Sequence, residues 1–304
     1  MKKVFIDGSA GTTGLKIAKR LADRTDIELI TLPDHLRKDT AAKKEALNQA
    51  DIVFLCLPDD AARESVALIE NDNTVVIDTS TAHRTADGWV YGFAELVGYD
   101  TVKNAKRIAN PGCHASGYIA LVRPLVEAGI LKEGANLNCT SITGYSGGGK
   151  NMIADYESAG DLLGAPRLYA LSQQHKHLKE MVKLSMLDTT PAFMPIVSNF
   201  YSGMQVIVPL FASDINGSID DIKAVYKKKY TGHVVTYNES ADESGFMSSA
   251  KLSTLDKMEI SVHGNDERIT LVARYDNLGK GASGAAIQNM NIVLGADERE
   301  GLIL

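Results

Sequence analysis

A short apolar run, Val4-Phe5-Ile6, leads straight into Gly8-Ser9-Ala10-Gly11-Thr12-Thr13-Gly14, and a pattern with helical spacing follows from about Gly14 to Arg24. Glycines at the top of a first strand permit a tight turn and let the backbone approach a ligand closely. The helix behind them turns unpaired N–H groups and the positive end of its dipole toward any anion held there. The spacing is G-x-x-G-x-x-G, which an ordinary strand-to-helix turn would also satisfy. Its position decides the reading, because it opens a regular alternation. Ile27 to Leu32 reads as a strand, Thr40 to Gln49 as a helix, Asp51 to Leu57 as a strand, Asp60 to Ile69 as a helix and Thr74 to Ile77 as a strand. The run Ile52 to Leu57 is wholly apolar, as a parallel strand covered on both faces requires. This rhythm predicts an α/β fold with a Rossmann-type doubly wound parallel sheet. The glycine turn, Gly8 to Gly14, is then a dinucleotide site.

The second strand ends in Pro33-Asp34-His35-Leu36-Arg37-Lys38. An acid at that point suits the ribose hydroxyls of NAD, whereas Arg37 and Lys38 suit the 2′-phosphate of NADP. A solvated basic pair is the plainer alternative; the reading taken here is NADP.

Beyond residue 113 the rhythm changes. A helix from about His114 to Ala128 precedes a strand near Ala135 to Thr143, a glycine-rich loop, and longer strands at Gly203 to Phe211 and Ile269 to Tyr275. Their spacing predicts an α+β domain with a mixed or antiparallel sheet. The small-residue helical stretch from Gly281 to Leu294 is expected to pack back on the first domain.

Composition narrows the partners. Among 304 residues, 44% are hydrophobic and 23% charged, with a formal charge of −6. That excludes nucleic acid or an anionic membrane as the main partner, since both call for clustered positive charge. The apolar run at the N-terminus is too short for a signal peptide, and no window approaches the ~20 apolar residues of a membrane span. The expectation is a cytoplasmic protein acting on a small molecule.

Three cysteines, Cys56, Cys113 and Cys139, form neither a disulfide framework nor a metal-ligand spacing. Cys56 and Cys139 sit in apolar strand-like runs, where thiols pack and stay inert. Cys113 sits in Asn110-Pro111-Gly112-Cys113-His114-Ala115-Ser116-Gly117, after a Pro-Gly turn and at a helix start. Free N–H groups there stabilise a thiolate and form an oxyanion hole for a carbonyl that the sulfur attacks. A base should accompany such a nucleophile. Gln173 to Glu180 reads as helical, which places His175 and His177 about 200° apart, so both should not reach one point. His177 and Glu180, at i and i+3, share a face. His177 is therefore expected as acid/base and His175 as a substrate contact. A charged surface helix with two incidental histidines would look the same.

Taken together, Gly8 to Leu15, Asn110 to Cys113, Gly144-Tyr145-Ser146-Gly147-Gly148-Gly149-Lys150, the His175/His177/Glu180 group and Asn277 to Asn289 resemble the N-acetyl-gamma-glutamyl-phosphate reductases, in the shorter of that family's two forms. These enzymes of arginine biosynthesis are related to aspartate-semialdehyde dehydrogenase. After the cysteine the longer form continues Tyr-Pro-Thr, whereas this chain has His114-Ala115-Ser116. The resemblance implies a Rossmann domain of residues 1–112 plus 281–304, with a catalytic and oligomerisation domain of residues 113–280 inserted. It implies NADP-dependent reduction of N-acetyl-L-glutamyl 5-phosphate through a Cys113 thioester, in a homo-oligomer. It adds Ser80, Gly281 and Asn289 to the cofactor site, and Arg84, Ser146, Gly147, Lys150 and Glu180 to the substrate site. The same chemistry on aspartyl or carrier-linked aminoadipyl phosphate is the nearest alternative, and a non-catalytic NADP-binding sensor is the alternative from another class.

Overall fold

The computed structural model describes all 304 residues, which divide into two compact units: Met1–Pro111 with Ala282–Leu302, and Gly112–Gly281 with Ile303–Leu304. The first unit alternates β1 (Lys2–Asp7), α1 (Thr12–Leu21), β2 (Ile27–Ile30), α2 (Thr40–Gln49), β3 (Ile52–Leu55), α3 (Asp59–Ala67) and β4 (Val75–Asp78). It continues with β5 (Val90–Tyr91), α4 (Ala94–Val97), α5 (Tyr99–Lys103) and β6 (Arg107–Ala109). Every pairing in its sheet is parallel, in the order β2-β1-β3-β4-β6-β5. Strand side chains alternate between faces, and both faces are covered here. Val4, Ile6, Phe54 and Ile77 join one apolar cluster, whereas Phe5, Val53, Leu55 and Val76 join another. The order reverses at β1, so the crevice at the carboxyl ends of β1 and β3 is where a sheet of this kind holds its ligand.

The second unit opens with α6 (Cys113–Glu127), followed by β7 (Asn138–Gly144), α7 (Gly149–Ser158), β8 (Arg167–Leu168), α8 (Leu178–Ser185) and β9 (Ala192–Ser198). Then come β10 (Met204–Phe211), α9 (Ile219–Lys229), β11 (Val235–Tyr237), β12 (Met258–Gly264) and β13 (Arg268–Tyr275). Its seven-stranded sheet runs β11-β12-β13-β10-β7-β9-β8. The β11/β12 and β7/β9 pairs are parallel and the others antiparallel, so the sheet is mixed.

Helix α6 is buried along most of its length and packs on β10 and β13. Close approach is possible because residue 117 is glycine: a Cβ there would lie 2.6 Å from Val206 Cγ2 and 2.7 Å from the Tyr275 hydroxyl. The helix also tolerates an internal proline. Pro124 has no N–H for the carbonyl of Ala120, and the Tyr230 hydroxyl donates to that carbonyl instead, at 2.5 Å. The neighbouring Tyr226 hydroxyl donates to Leu121 O.

After a π-type turn at Gly279–Ser283, α10 (Gly284–Leu294) returns to the first unit, where Ala286, Ile287 and Met290 complete its larger apolar cluster. No helix is long and apolar enough to cross a membrane.

Candidate active site

In the first unit the glycine turn is built as its residue types demand. Gly8 has φ +87°, and a Cβ on it would sit 2.3 Å from Cys56 O; a Cβ on Gly14 would sit 2.4 Å from Gly8 O. Gly11 is the N-cap of α1 and lends it no side-chain cap, so Thr12, Thr13 and Gly14 open the helix with backbone donors. A cavity of about 470 Å³ lies here, lined in part by Gly8, Ser9 and Ala10 and by Arg37, Lys38 and Lys43. Gly11 to Gly14 are outside that lining. Arg37 pairs with Asp34 at 2.8 Å on an exposed turn. Lys43 was not singled out from the sequence. It reaches the buried Asp7 carboxylate at 3.3 Å, and the same Oδ2 accepts from Ser65 Oγ at 2.7 Å.

Other expected site residues of this unit are held by internal bonds. Ser80 donates from its N–H and its hydroxyl to the Asp78 carboxylate, at 2.9 and 2.7 Å. Arg84 donates from Nε to Asn110 O at 3.0 Å and from Nη2 to Thr79 O at 3.1 Å, fastening the loop after β4 to the end of β6. Asn289, 1% exposed, donates to Gly92 O at 2.9 Å.

In the second unit, Cys113 is the first residue of α6 and Gly112 its N-cap. Gly112 N–H donates to Glu180 Oε2 at 3.0 Å, and the Cys113 carbonyl accepts from the Tyr275 hydroxyl at 2.5 Å. A Cβ on Gly281 would stand 3.1 Å from Cys113 Cβ, so the π-type turn lies against the cysteine. The other thiols are spoiled as nucleophiles: burial pushes Cys56 up to about 12 and raises Cys139 further.

The histidine segment corrects the helical register read from the sequence. Helix α8 begins only at Leu178, and His177 is its N-cap. Residues 169–177 form a loop in which Ala170 and Gln173 take left-handed backbone, φ 53° and 57°, which stops a helix from propagating upstream. The Gln173 amide pairs with Phe193, donating to its O at 2.7 Å and accepting from its N at 2.8 Å. The 200° separation therefore does not apply. The His175 and His177 rings lie 4.7 Å apart, and each is 5.6 Å from His114. His177 N–H donates to His175 Nδ1 at 3.1 Å, which assigns a neutral His175 its proton on Nε2. The pairing of His177 with Glu180 does survive, at 3.9 Å between Nε2 and Oε1, with both side chains buried. Glu180 itself is 1% exposed and faces the turn before the cysteine.

Of the glycine-rich loop, Gly147 and Lys150 are exposed, and Lys150 lies in the first turn of α7. Ser146 is buried, and its hydroxyl accepts from Asn277 Nδ2 at 3.0 Å. Asn277 also accepts from Gly203 N at 2.9 Å, knitting the loop to β10.

Comparison with known proteins fits this arrangement. The semialdehyde dehydrogenase dimerisation domain model matches residues 113–277, and the semialdehyde dehydrogenase NAD binding domain model matches residues 33–105. A protein of Rhizobium meliloti (strain 1021) named N-acetyl-gamma-glutamyl-phosphate reductase is 45% identical over 307 residues, spanning 97% of this chain and 99% of its own. The chain belongs to the N-acetyl-gamma-glutamyl-phosphate reductase family.

Solved structures agree on the fold of this reductase-family chain. Aspartate semialdehyde dehydrogenase II of Vibrio cholerae, complexed with ASA, superposes with a TM-score of 0.73 at 15% identity, covering 97% of this chain and 98% of its own. The Candida albicans aspartate semialdehyde dehydrogenase with NADP superposes with a TM-score of 0.65 at 16% identity, covering 97% and 99%.

The sequence reading did not single out Lys43 in the first unit, nor His114, Tyr169 and Gln173 in the second. Lys43 carried a usable signal, since it lies in the first turn of the helix that follows the cation pair. The other three act through partners tens of residues away, where local spacing is silent.

Proposed function

We propose that this chain reduces N-acetyl-L-glutamyl 5-phosphate to N-acetyl-L-glutamate 5-semialdehyde, releasing phosphate, as a step of arginine biosynthesis. The observation that carries the reading is Cys113 at the first position of a buried helix, in a chain 45% identical to a named reductase over nearly its whole length. An acyl phosphate is already activated, so the Cys113 thiolate displaces phosphate and forms a thioester. Backbone donors at the start of α6 support the sulfur and the oxyanion that develops beside it. His177 takes the thiol proton and returns it when the carbon–sulfur bond breaks. We assign it this role over His175 because the Glu180 carboxylate lies 3.9 Å from its Nε2 and can orient the ring, whereas His175 already commits Nδ1 to a backbone N–H. His175 is left for substrate contact.

The nicotinamide cofactor supplies the hydride when bound. The first unit fits such a group, because the turn at Gly8 and Gly14 has no room for a Cβ and α1 starts with backbone donors. NADP is preferred in this reading because Arg37, Lys38 and Lys43 line the same cavity and the Asp34 carboxylate is already paired with Arg37. Arg84 and Lys150 are the cations assigned to the substrate's phosphate and carboxylate, in a chain whose net charge of −6 repels anions at long range. Ser80, Ser146, Glu180 and Asn289 serve by shaping these loops from within. The 113–277 match to a dimerisation domain supports a homo-oligomer, and the acidic composition supports the cytoplasm.

The test is oxidation of NADPH with freshly generated N-acetylglutamyl phosphate. Turnover of that compound, lost in Cys113→Ser, is the expected result; no turnover by the intact protein would overturn the reading.

A further inference from the structure

Two rings that the chemistry above leaves idle sit between the cysteine helix and the histidine loop. His114 directly follows Cys113 and is 3% exposed. Both its nitrogens are engaged at 2.6 Å, Nδ1 with Ser141 Oγ on β7 and Nε2 with the Tyr169 hydroxyl. Burial, with the neighbouring His175 second, pushes its imidazole down to about 3, so the ring is neutral under working conditions. One nitrogen therefore donates and the other accepts, and two hydroxyl partners satisfy either tautomer. Burial, with Cys113 second, raises the Tyr169 phenol, so it keeps its proton.

Tyr169 begins the loop that carries His175 and His177, and two left-handed residues, Ala170 and Gln173, make that loop costly to hold in one shape. Gln173 ties it to Phe193 on β9; Tyr169 N–H ties it to Pro195 O at 3.0 Å. The Tyr169 hydroxyl reaches the other way, to the residue after the nucleophile. His114 also packs its ring against those of His175, His177 and Phe193, with centroids 5.4–5.6 Å away.

We propose that His114 and Tyr169 are positioning residues that act as one latch: the hydrogen bond between them sets the histidine loop against the first turn of α6, where the sulfur sits. The proposal rests on Cys113 and the histidines being the reacting groups. A displacement of about 1 Å in such a constellation costs up to ~100-fold in rate, so one oxygen atom at residue 169 should govern turnover without touching substrate.

The experiment is a double-mutant cycle with Tyr169→Phe, His114→Phe and both together, with His114→Gln as the variant that keeps a donor and an acceptor. It reads kcat, KM and, without substrate, the pH profile of Cys113 alkylation by iodoacetamide. Tyr169→Phe should lower kcat about ten-fold, with KM changed less than about two-fold, and should shift the alkylation profile. Adding His114→Phe should cost less than it does in the intact protein, because the Tyr169 bond is already gone and only the bond to Ser141 remains to be lost, and His114→Gln should recover part of the loss. A normal kcat and alkylation profile in Tyr169→Phe, or losses that multiply in the double variant, would overturn the latch. Should His114→Phe fail to fold, Tyr169→Phe and His114→Gln decide by the same criteria. If the intact protein does not turn over N-acetylglutamyl phosphate, the substrate reading falls, and the alkylation profiles alone decide the latch.

Discussion

Three sulfurs in one chain show how much location does for a residue. Cys56 directly follows the buried strand β3 and Cys139 lies within β7, and burial raises both thiols, so ionising either would place a charge in an apolar setting. Cys113 has the same thiol at a helix start, half-buried, with backbone donors about it. Alkylation at neutral pH should therefore modify Cys113 first and abolish turnover, with substrate protecting it; peptide mapping of the labelled protein checks the order. Preferential labelling of Cys56 would contradict this account. The two histidines differ as plainly, since His177 faces the Glu180 carboxylate and His175 accepts at Nδ1 from a backbone N–H. His177→Ala should cost roughly 10²–10⁴-fold in kcat, the usual worth of a general acid or base, and His175→Ala distinctly less. Steady-state kinetics of the two variants give the ranking, and the reverse order would make His175 the acid/base. From the sequence, the pairing of His177 with Glu180 was legible because i, i+3 spacing brings two side chains together at a helix start as well as within a helix. The meeting of His175 with His177 was not, because it depends on where the helix begins.

At the scale of the element, α6 carries both the nucleophile and a proline. The Tyr230 hydroxyl is what keeps the Ala120 carbonyl from being buried without a donor. Tyr230→Phe should then destabilise the fold by about 1–3 kcal/mol, the cost of an unsatisfied buried polar group, while leaving the chemistry of the first turn intact. Denaturant unfolding checks the first point and kcat the second. The turn after β2 offers a parallel case for the cofactor. Arg37 is paired with Asp34 only in an exposed ion pair, worth less than about 1 kcal/mol, which an incoming phosphate can displace. Replacing Arg37 and Lys38 together with Ala should raise KM for NADPH about ten-fold or more and leave KM for NADH nearly unchanged. Equal effects on both would move the 2′-phosphate site elsewhere, with Lys43 the next cation to test. Strand and helix positions in the first unit were readable because apolar runs and turn residues are local signals. Alternating β-strands and helices also dictate a parallel sheet whatever the side chains do at its edges.

For the whole molecule, the chemistry that separates this family from its relatives is the acyl chain of the substrate. The acetyl group removes the positive charge of the amine, so binding N-acetylglutamate semialdehyde calls for no acid at that nitrogen, whereas aspartate semialdehyde calls for one. Glu180, the acid nearest the cysteine turn, is bound to Gly112 N–H and faces His177. Reverse-reaction rates at equal phosphate should favour N-acetylglutamate semialdehyde by a wide margin, about 100-fold or more, since a buried polar mismatch discriminates strongly. A preference for aspartate semialdehyde would leave the reaction class standing and remove the substrate.

The amino-acid sequence by itself determined the doubly wound sheet, the glycine turn with its anion-ready helix, and Cys113 as the one thiol set at a helix start. Each of these rests on neighbours within a few residues, where periodicity, glycine conformation and helix-end donors act. Tertiary structure alone decided that His114 joins Ser141 to Tyr169, that Gln173 clamps to Phe193, and that Lys43 reaches Asp7 in the crevice. Those contacts close chain separations of 20 to 55 residues. Their partners are chosen by how sheet and helices pack, and that choice leaves no periodic trace along the chain.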